Sequence, residues 1–366
     1  MKGQHNSEWS GKTMLVMAGG TGGHIYPAMA CAHEVLAKGG RVVWLGTRAG
    51  LESELVPKAG IDIEYIDIAG LRGNGLLGWL KAPFRILKAI GQALKVMSSV
   101  KPDVVLGMGG FVTGPGGVAA KAKGVPLVIH EQNAIPGMTN KLLARIADRV
   151  LEAFPNTFTH ADDATGNPVR ADLNAISSPE ERHLGQKETN HILVVGGSLG
   201  AVAINNMVPQ ALELLHQQGV SVKVLHQSGK RNLEETRGLY QNTSVDAEVV
   251  PFIDDMAAAY QQADLVICRS GALTVSELMN VGVPAILVPF PFAVDDHQTA
   301  NAGYLEKVNA GIICQQRDMN SEQLSQVILD LIKSKKLPVM ANNAWQNRKT
   351  DATQRVLSHC QELVNV

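Results

Sequence analysis

The 366-residue chain reads as an α/β protein built from two doubly wound, mostly parallel-sheet domains in tandem. Three observations predict this. A strand, a glycine loop and a helix follow one another near the start, and the same order returns near residue 191. Strands and helices alternate through both halves, as parallel strands joined by crossover helices require. A chain of this length also exceeds the usual size of a single core.

The first strand is residues 14–18, an apolar run. Gly19-Gly20-Thr21-Gly22-Gly23-His24 follows, then a helical pattern over 25–38 and a second strand over 41–47. Strand, glycine loop, helix, strand is the opening of a Rossmann-like unit. A further glycine loop, Gly107-Met108-Gly109-Gly110, follows a strand at 103–106. Residues 162–190 mix Gly166, Pro168, Pro179 and charges, which places a hinge near residues 166–170 and divides the chain into 1–165 and 166–344. The second half begins with a strand at 191–195, a glycine loop over 196–201, a helix to His216 and a strand at 220–225. The C-terminal stretch, about 345–366, holds an amphipathic helix at 351–363 that is placed to pack back on the first domain.

Composition excludes several function classes. A formal net charge of −1 argues against nucleic-acid binding, where a basic excess is expected. Cys31, Cys268, Cys314 and Cys360 form no C-x-x-C pair, so they read as reduced thiols with no disulfide frame and no zinc site. The first thirteen residues have no apolar segment of the signal-peptide kind, and no uninterrupted apolar run approaches the ~20 residues of a membrane span. Any membrane contact is therefore expected to be peripheral.

The chemistry centres on Cys268-Arg269-Ser270-Gly271-Ala272-Leu273-Thr274-Val275-Ser276-Glu277, after an apolar strand at 264–267. A small-residue turn that opens a helix leaves N–H groups for a phosphate, aided by the helix dipole. Glu277, about a turn further in, suits neutral hydroxyls and repels phosphate. A nucleoside diphosphate satisfies both. The alternative is a buried strand–turn–helix with Glu277 on a solvated face. The second strand of neither half ends in the acid that NAD-binding units place on the ribose, and there is no G-x-x-x-x-G-K-[ST]. Glycine loops facing each other from two domains would line a cleft with backbone donors.

His24, just after Gly22-Gly23 at a helix start, is a candidate base that the helix dipole favours as neutral imidazole. Glu131, in His130-Glu131-Gln132-Asn133, is a second candidate base or a structural carboxylate. Asp295-Asp296 read as a helix N-cap, and no metal site or other cofactor is expected. Charge on a leaving diphosphate then falls to helix starts, backbone N–H groups and Arg170. Residues 68–102 carry no acid. They set Arg72, Lys81, Arg85, Lys88, Lys95 and Lys101 among Leu76, Leu77, Trp79, Leu80, Phe84, Ile86 and Leu87. That suits an anionic bilayer surface, or a core helix with a basic outer face.

With these residues in view the sequence resembles the MurG family of bacterial glycosyltransferases. The motifs that carry the resemblance are GGTGGHIYPA from Gly19, GLRG from Gly70, KPDVVLGMGGFVTGPGG from Lys101, HEQN from His130 and GNPVR from Gly166. LVVGGSLGA from Leu193, FIDDMAAAY from Phe252, CRSGALTVSE from Cys268 and DDHQTANA from Asp295 complete them. The resemblance implies a GT-B architecture, with UDP-GlcNAc held mainly by the second domain. It implies transfer of GlcNAc to the muramoyl 4-hydroxyl of undecaprenyl-diphospho-MurNAc-pentapeptide, lipid I to lipid II.

By the same resemblance Ile253 presents its backbone to uracil, Ala272 to Glu277 hold ribose and diphosphate, and Glu277 takes the ribose. Ser198 and Arg170 lie near the diphosphate or sugar, and His297, Gln298 and Asn133 near GlcNAc. Thr21, Gly22 and Gly23 close over the diphosphate, and His24 is the base. The acceptor docks on the first domain at the cytoplasmic face of the inner membrane, where other cell-wall synthesis proteins are implied partners. Two positions depart from the family pattern: Leu199 stands where Gln is frequent, and His297 where some members have Gln. Two rivals stay open, a non-hydrolysing UDP-GlcNAc 2-epimerase and a non-enzymatic UDP-sugar-binding membrane scaffold.

Overall fold

The computed structural model describes residues 8–70, 75–197 and 200–364, with side chains of 75–80 excepted. The chain divides into two units, Met1–Arg170 with Asp351–Val366, and Ala171–Thr350. The first unit thus runs to Arg170 rather than 165, and of the 345–366 stretch only the part from Asp351 belongs to it.

In the first unit the elements run β1 (Thr13–Met17), α1 (Gly22–Ala37), β2 (Arg41–Gly46), α2 (Glu52–Lys58), β3 (Asp62–Tyr65) and α3 (Gly75–Val100). They continue β4 (Val104–Gly107), α4 (Thr113–Ala122), β5 (Leu127–Glu131), α5 (Met138–Leu143), β6 (Arg149–Glu152) and β7 (Asp163–Ala164). Every strand pairing is parallel, in the order β3-β2-β1-β4-β5-β6-β7. Order reverses at β1 and β4, so the loops after these two strands flank the switch point where such sheets bind ligands.

Strand periodicity builds two core layers. Met14 and Val16 of β1 pack on one face with Trp44, Ile25 and Cys31. Leu15 and Met17 pack on the other with Ala89, Ala93, Met97 and Leu127. The C-terminal helix closes the first layer with Val356, Leu357 and Cys360. Arg355 pairs with Asp163, and His359 Nε2 lies 3.3 Å from the same carboxylate, tying that helix to β7.

The second unit repeats the plan: β8 (Asn190–Val195), α6 (Val202–Gln217), β9 (Val222–Gln227), α7 (Leu233–Gln241), β10 (Asp246–Val250) and α8 (Met256–Gln262). Next come β11 (Leu265–Cys268), α9 (Ala272–Val281), β12 (Ala285–Leu287), α10 (His297–Lys307), β13 (Gly311–Ile313), α11 (Ser321–Lys333) and α12 (Leu337–Gln346). The C-terminal helix is α13 (Ala352–Val364). The sheet order is β10-β9-β8-β11-β12-β13, again all parallel. β12 stops at Leu287, since Pro289 and Pro291 bring no N–H to a ladder. The helix expected from residue 25 starts at Gly22, because Thr21 is still extended (φ −121°) and Gly22 is not.

Candidate functional site

Each unit brings its own set of residues to the carboxyl ends of its strands. In the second unit these cluster where β11 passes into α9. Gly271 is extended (φ −60°, ψ 146°) and offers no side-chain cap to α9. The helix therefore opens on backbone from Ala272, Leu273 and Thr274, an arrangement that favours an anion. Ser270 is fully buried, and Asn301 Nδ2 donates to its carbonyl at 3.2 Å. Arg269 holds the far side, donating to the carbonyls of Val288 and Pro289 and to Gln316 Oε1 at 2.8 Å, with its guanidinium over the Phe290 ring.

Glu277 stands partly buried on α9 and accepts a hydrogen bond from Tyr260 Oη at 3.1 Å. A solvated-face carboxylate would need no such partner. Tyr260 is 1% exposed. Its carbonyl accepts from Arg182 Nη1 at 3.1 Å, and Arg182 Nη2 also donates to the carbonyls of Val281 and Gly282 at the end of α9. Burial pushes the Arg182 guanidinium down to about 10, against the pull of Asp264. Val275 is buried inside α9, and Ser276 Oγ donates to the Ala272 carbonyl at 3.0 Å. Ile253 is buried just before α8, which Asp255 caps by accepting from Ala258 N at 2.9 Å.

The stretch before α10 differs from the expected N-cap. Asp295 and Asp296 are both left-handed (φ 53° and 52°). Asp296 accepts from Thr299 Oγ1 at 2.8 Å and makes no capping bond to a backbone N–H. His297 Nδ1 lies 2.7 Å from the Val294 carbonyl, which fixes its ring. Gln298 Oε1 accepts from Phe290 N at 2.9 Å, so the amide group is what it could offer a sugar. Ser198 and Leu199 lie outside the described residues.

In the first unit, Thr21 ends the loop after β1 without a capping bond, Gly22 and Gly23 open α1, and His24 completes its first turn. His24 Nδ1 is 3.3 Å from the Gly19 carbonyl. The Gly109 and Gly110 loop presses on both. A Cβ at Gly109 (φ +101°) would sit 2.8 Å from His24 Cδ2, and one at Gly110 (φ +88°) 2.5 Å from the Gly19 oxygen. Only glycine meets both demands, positive φ and close approach.

Glu131 is not placed to act as a base. It is 2% exposed, and four donors converge on it: Asn133 N, Asn133 Nδ2, Gly137 N and Asn140 Nδ2, at 2.9–3.2 Å. It braces the loop that carries Asn133. Arg170 is exposed at the end of the first unit.

Sequence reasoning missed Glu52 and Tyr260. Glu52 is fully buried and accepts from Gly20 N at 3.1 Å, Thr47 N at 2.9 Å and Thr47 Oγ1 at 2.8 Å. The ribose acid of an NAD-binding unit stands at the end of the second strand, whereas Glu52 comes a loop later, at the start of α2. The available signal was the spacing of Gly46 and Gly50 before it, since a Cβ at Gly19, Gly46 or Gly50 would strike the Glu52 side chain.

On α3, Phe84 and Leu87 are 76% and 66% exposed beside the exposed Lys81, Arg85 and Lys88, while Ala82, Ala89 and Ala93 face the core. Lys88 pairs with Asp67 at 2.9 Å, which leaves Lys81 and Arg85 as the stronger source of positive charge. Arg72 and the side chains of Leu76, Leu77, Trp79 and Leu80 lie outside the described residues. No described helix is long and apolar enough to cross a membrane, and no group of metal-binding side chains occurs among the described residues.

Residues 14–152 match the glycosyltransferase family 28 N-terminal domain, and residues 191–356 match the family 28 C-terminal domain. Two curated proteins named UDP-N-acetylglucosamine--N-acetylmuramyl-(pentapeptide) pyrophosphoryl-undecaprenol N-acetylglucosamine transferase are similar along almost the whole length. The one from Burkholderia lata is 49% identical over 358 residues, 96% of each chain. The one from Shewanella denitrificans is 51% identical over 356 residues, again 96% of each. The crystal structure of Acinetobacter baumannii MurG superposes with a TM-score of 0.85 at 44% identity, covering 96% of this chain and 99% of that one.

Proposed function

The chain belongs to the MurG family of UDP-N-acetylglucosamine–N-acetylmuramyl-(pentapeptide) pyrophosphoryl-undecaprenol N-acetylglucosamine transferases, GT-B enzymes, and from this we propose how its residues divide the reaction. It is a hexosyltransferase of peptidoglycan synthesis, moving GlcNAc from UDP-GlcNAc to the muramoyl 4-hydroxyl of the lipid-linked acceptor.

The second unit takes the donor. The observation that carries this is the start of α9 directly after Gly271, whose own side chain cannot cap it, with Glu277 further along the same helix and held by a buried tyrosine. Backbone N–H groups at the helix start meet the diphosphate, and the Glu277 carboxylate accepts from the ribose hydroxyls. Ile253 offers its backbone to uracil. His297, the Gln298 amide and Asn133 reach GlcNAc, while Arg170 and Ser198 add to the diphosphate or sugar.

The first unit takes the acceptor. His24 accepts the proton of the 4-hydroxyl as its oxygen forms a bond to the anomeric carbon. The bond from that carbon to the β-phosphate oxygen breaks, and UDP leaves with the bonding pair. Attack opposite the leaving group inverts the centre and yields a β-linkage. The charge that grows on UDP is met by fixed amide dipoles, which cost no reorganisation at the moment of transfer. Thr21, Gly22 and Gly23 supply amides of the same kind. Lys81, Phe84, Arg85 and Leu87 on α3 bring the enzyme to the anionic cytoplasmic face of the inner membrane, as a peripheral protein.

Calorimetric titration of UDP-GlcNAc into Glu277→Ala tests the donor assignment. A lost charged hydrogen bond should weaken binding by about 1–3 kcal/mol. Wild-type affinity in that variant would remove Glu277 from the ribose.

A further inference from the structure

We propose that Glu52 is the positioning residue for His24, acting through the single peptide group that joins Gly19 to Gly20. This rests on His24 being the base. Gly20 N donates to Glu52 Oε2 at 3.1 Å, and the carbonyl of the same peptide group, Gly19 O, lies 3.3 Å from His24 Nδ1. A carbonyl oxygen only accepts, so in this bond the proton sits on Nδ1. That tautomer carries its lone pair on Nε2, the nitrogen that would take the acceptor's proton.

The carboxylate does more than hold the loop. Hydrogen bonding of an amide N–H to an anion draws electron density toward its carbonyl oxygen, and bonds in such a chain strengthen one another. Gly19 O becomes a better acceptor for the Nδ1 proton, and better still when Nε2 gains a proton and the ring becomes imidazolium. This is the carboxylate–imidazole logic of an oriented base, with a peptide group standing between the two partners.

The surroundings allow little else. Glu52 is fully buried, and its other oxygen is held by Thr47 N and Thr47 Oγ1 at 2.9 and 2.8 Å. A Cβ at Gly50 would lie 2.1 Å from Oε2, one at Gly19 2.8 Å from Oε1 and one at Gly46 2.8 Å from Cγ, so backbone packs directly against the acid. Gly109 and Gly110 press on the imidazole and on Gly19 from the neighbouring strand end. Carboxylate, peptide and ring are each fixed from two sides. A loop staple alone would need the Gly20 bond but would not need the same peptide to meet His24.

The test uses the full-length enzyme. Nitrogen-15 NMR of its histidines should show neutral His24 as the Nδ1–H form, and an Nε2–H form would overturn the proposal whether or not any variant folds. In Glu52→Gln, kcat with UDP-GlcNAc and a lipid-linked acceptor should fall about tenfold or more with KM for the donor little changed. The acid limb of kcat should move to lower pH, because a negative charge that favoured imidazolium has gone. A variant that loses thermal stability but keeps the kcat, the limb and the tautomer makes Glu52 a staple and sinks the inference. Full turnover by His24→Ala would instead sink the base assignment beneath it, an outcome the Glu52 experiment does not produce.

Discussion

At the scale of single residues, a binding carboxylate is only as good as the geometry that aims it. Glu277, proposed above as the ribose carboxylate, has such an aid in the hydroxyl of Tyr260, anchored at its carbonyl by Arg182. Tyr260→Phe keeps the buried ring and deletes the hydroxyl alone. The helix should persist while the carboxylate gains freedom to rotate away from the ribose. UDP-GlcNAc binding should weaken by about 1 kcal/mol, and preference for UDP over its 2′-deoxy analogue should shrink. Competitive titration of the two nucleotides measures both, and an unchanged preference would show that Tyr260 plays no part in ribose recognition.

At the scale of elements, the strand–loop–helix units were legible because their signals are local. Apolar runs of four to six residues, glycine loops and the helical period around residues 25–38 and 202–216 need no distant partner to be read. The helix α3 was legible in the same way, as a basic and apolar run. Its orientation was not, since a run does not say which side faces the core. The structure turns Ala82, Ala89 and Ala93 inward and Lys81, Phe84, Arg85 and Leu87 outward. Lys81→Glu with Arg85→Glu should therefore cut sedimentation with vesicles rich in phosphatidylglycerol, and added salt should weaken the wild type in the same assay. Equal sedimentation of variant and wild type would remove α3 from the membrane contact. Asp295-Asp296 mark the opposite case. Two acids before a helix read as an N-cap, but left-handed backbone at both turns Asp296 toward Thr299 instead.

At the scale of the whole molecule, each unit buries a neutral histidine in a polar network. His130 bonds the Gly166 carbonyl at 2.9 Å and Gln132 Nε2 at 3.0 Å. His226 meets Tyr240 Oη and Asn205 Oδ1, both at 3.0 Å. Burial pushes each ring down to about 4. An unfolded chain holds its histidines near ~6.5, so between that value and about 4 the unfolded state binds more protons. The stability these rings contribute is complete above ~6.5 and is lost as pH falls toward 4. The urea midpoints of both units should drop between pH 7 and pH 4.5, and His226→Gln should flatten the drop for the second unit. A midpoint that does not move over this range would refute the account.

The sequence alone determined the class of fold, the two strand–glycine loop–helix openings and the helix start proposed to take a phosphate, because each depends on residues near one another in the chain. Tertiary structure alone decided which side chains serve those loops. Placing β1 between β2 and β4 brings the backbone of Gly20 to Glu52 and that of Gly19 against Gly110, and setting α8 beside α9 brings Tyr260 to Glu277. A buried polar group must find its partner wherever the sheet order puts one, and local periodicity carries no record of that order.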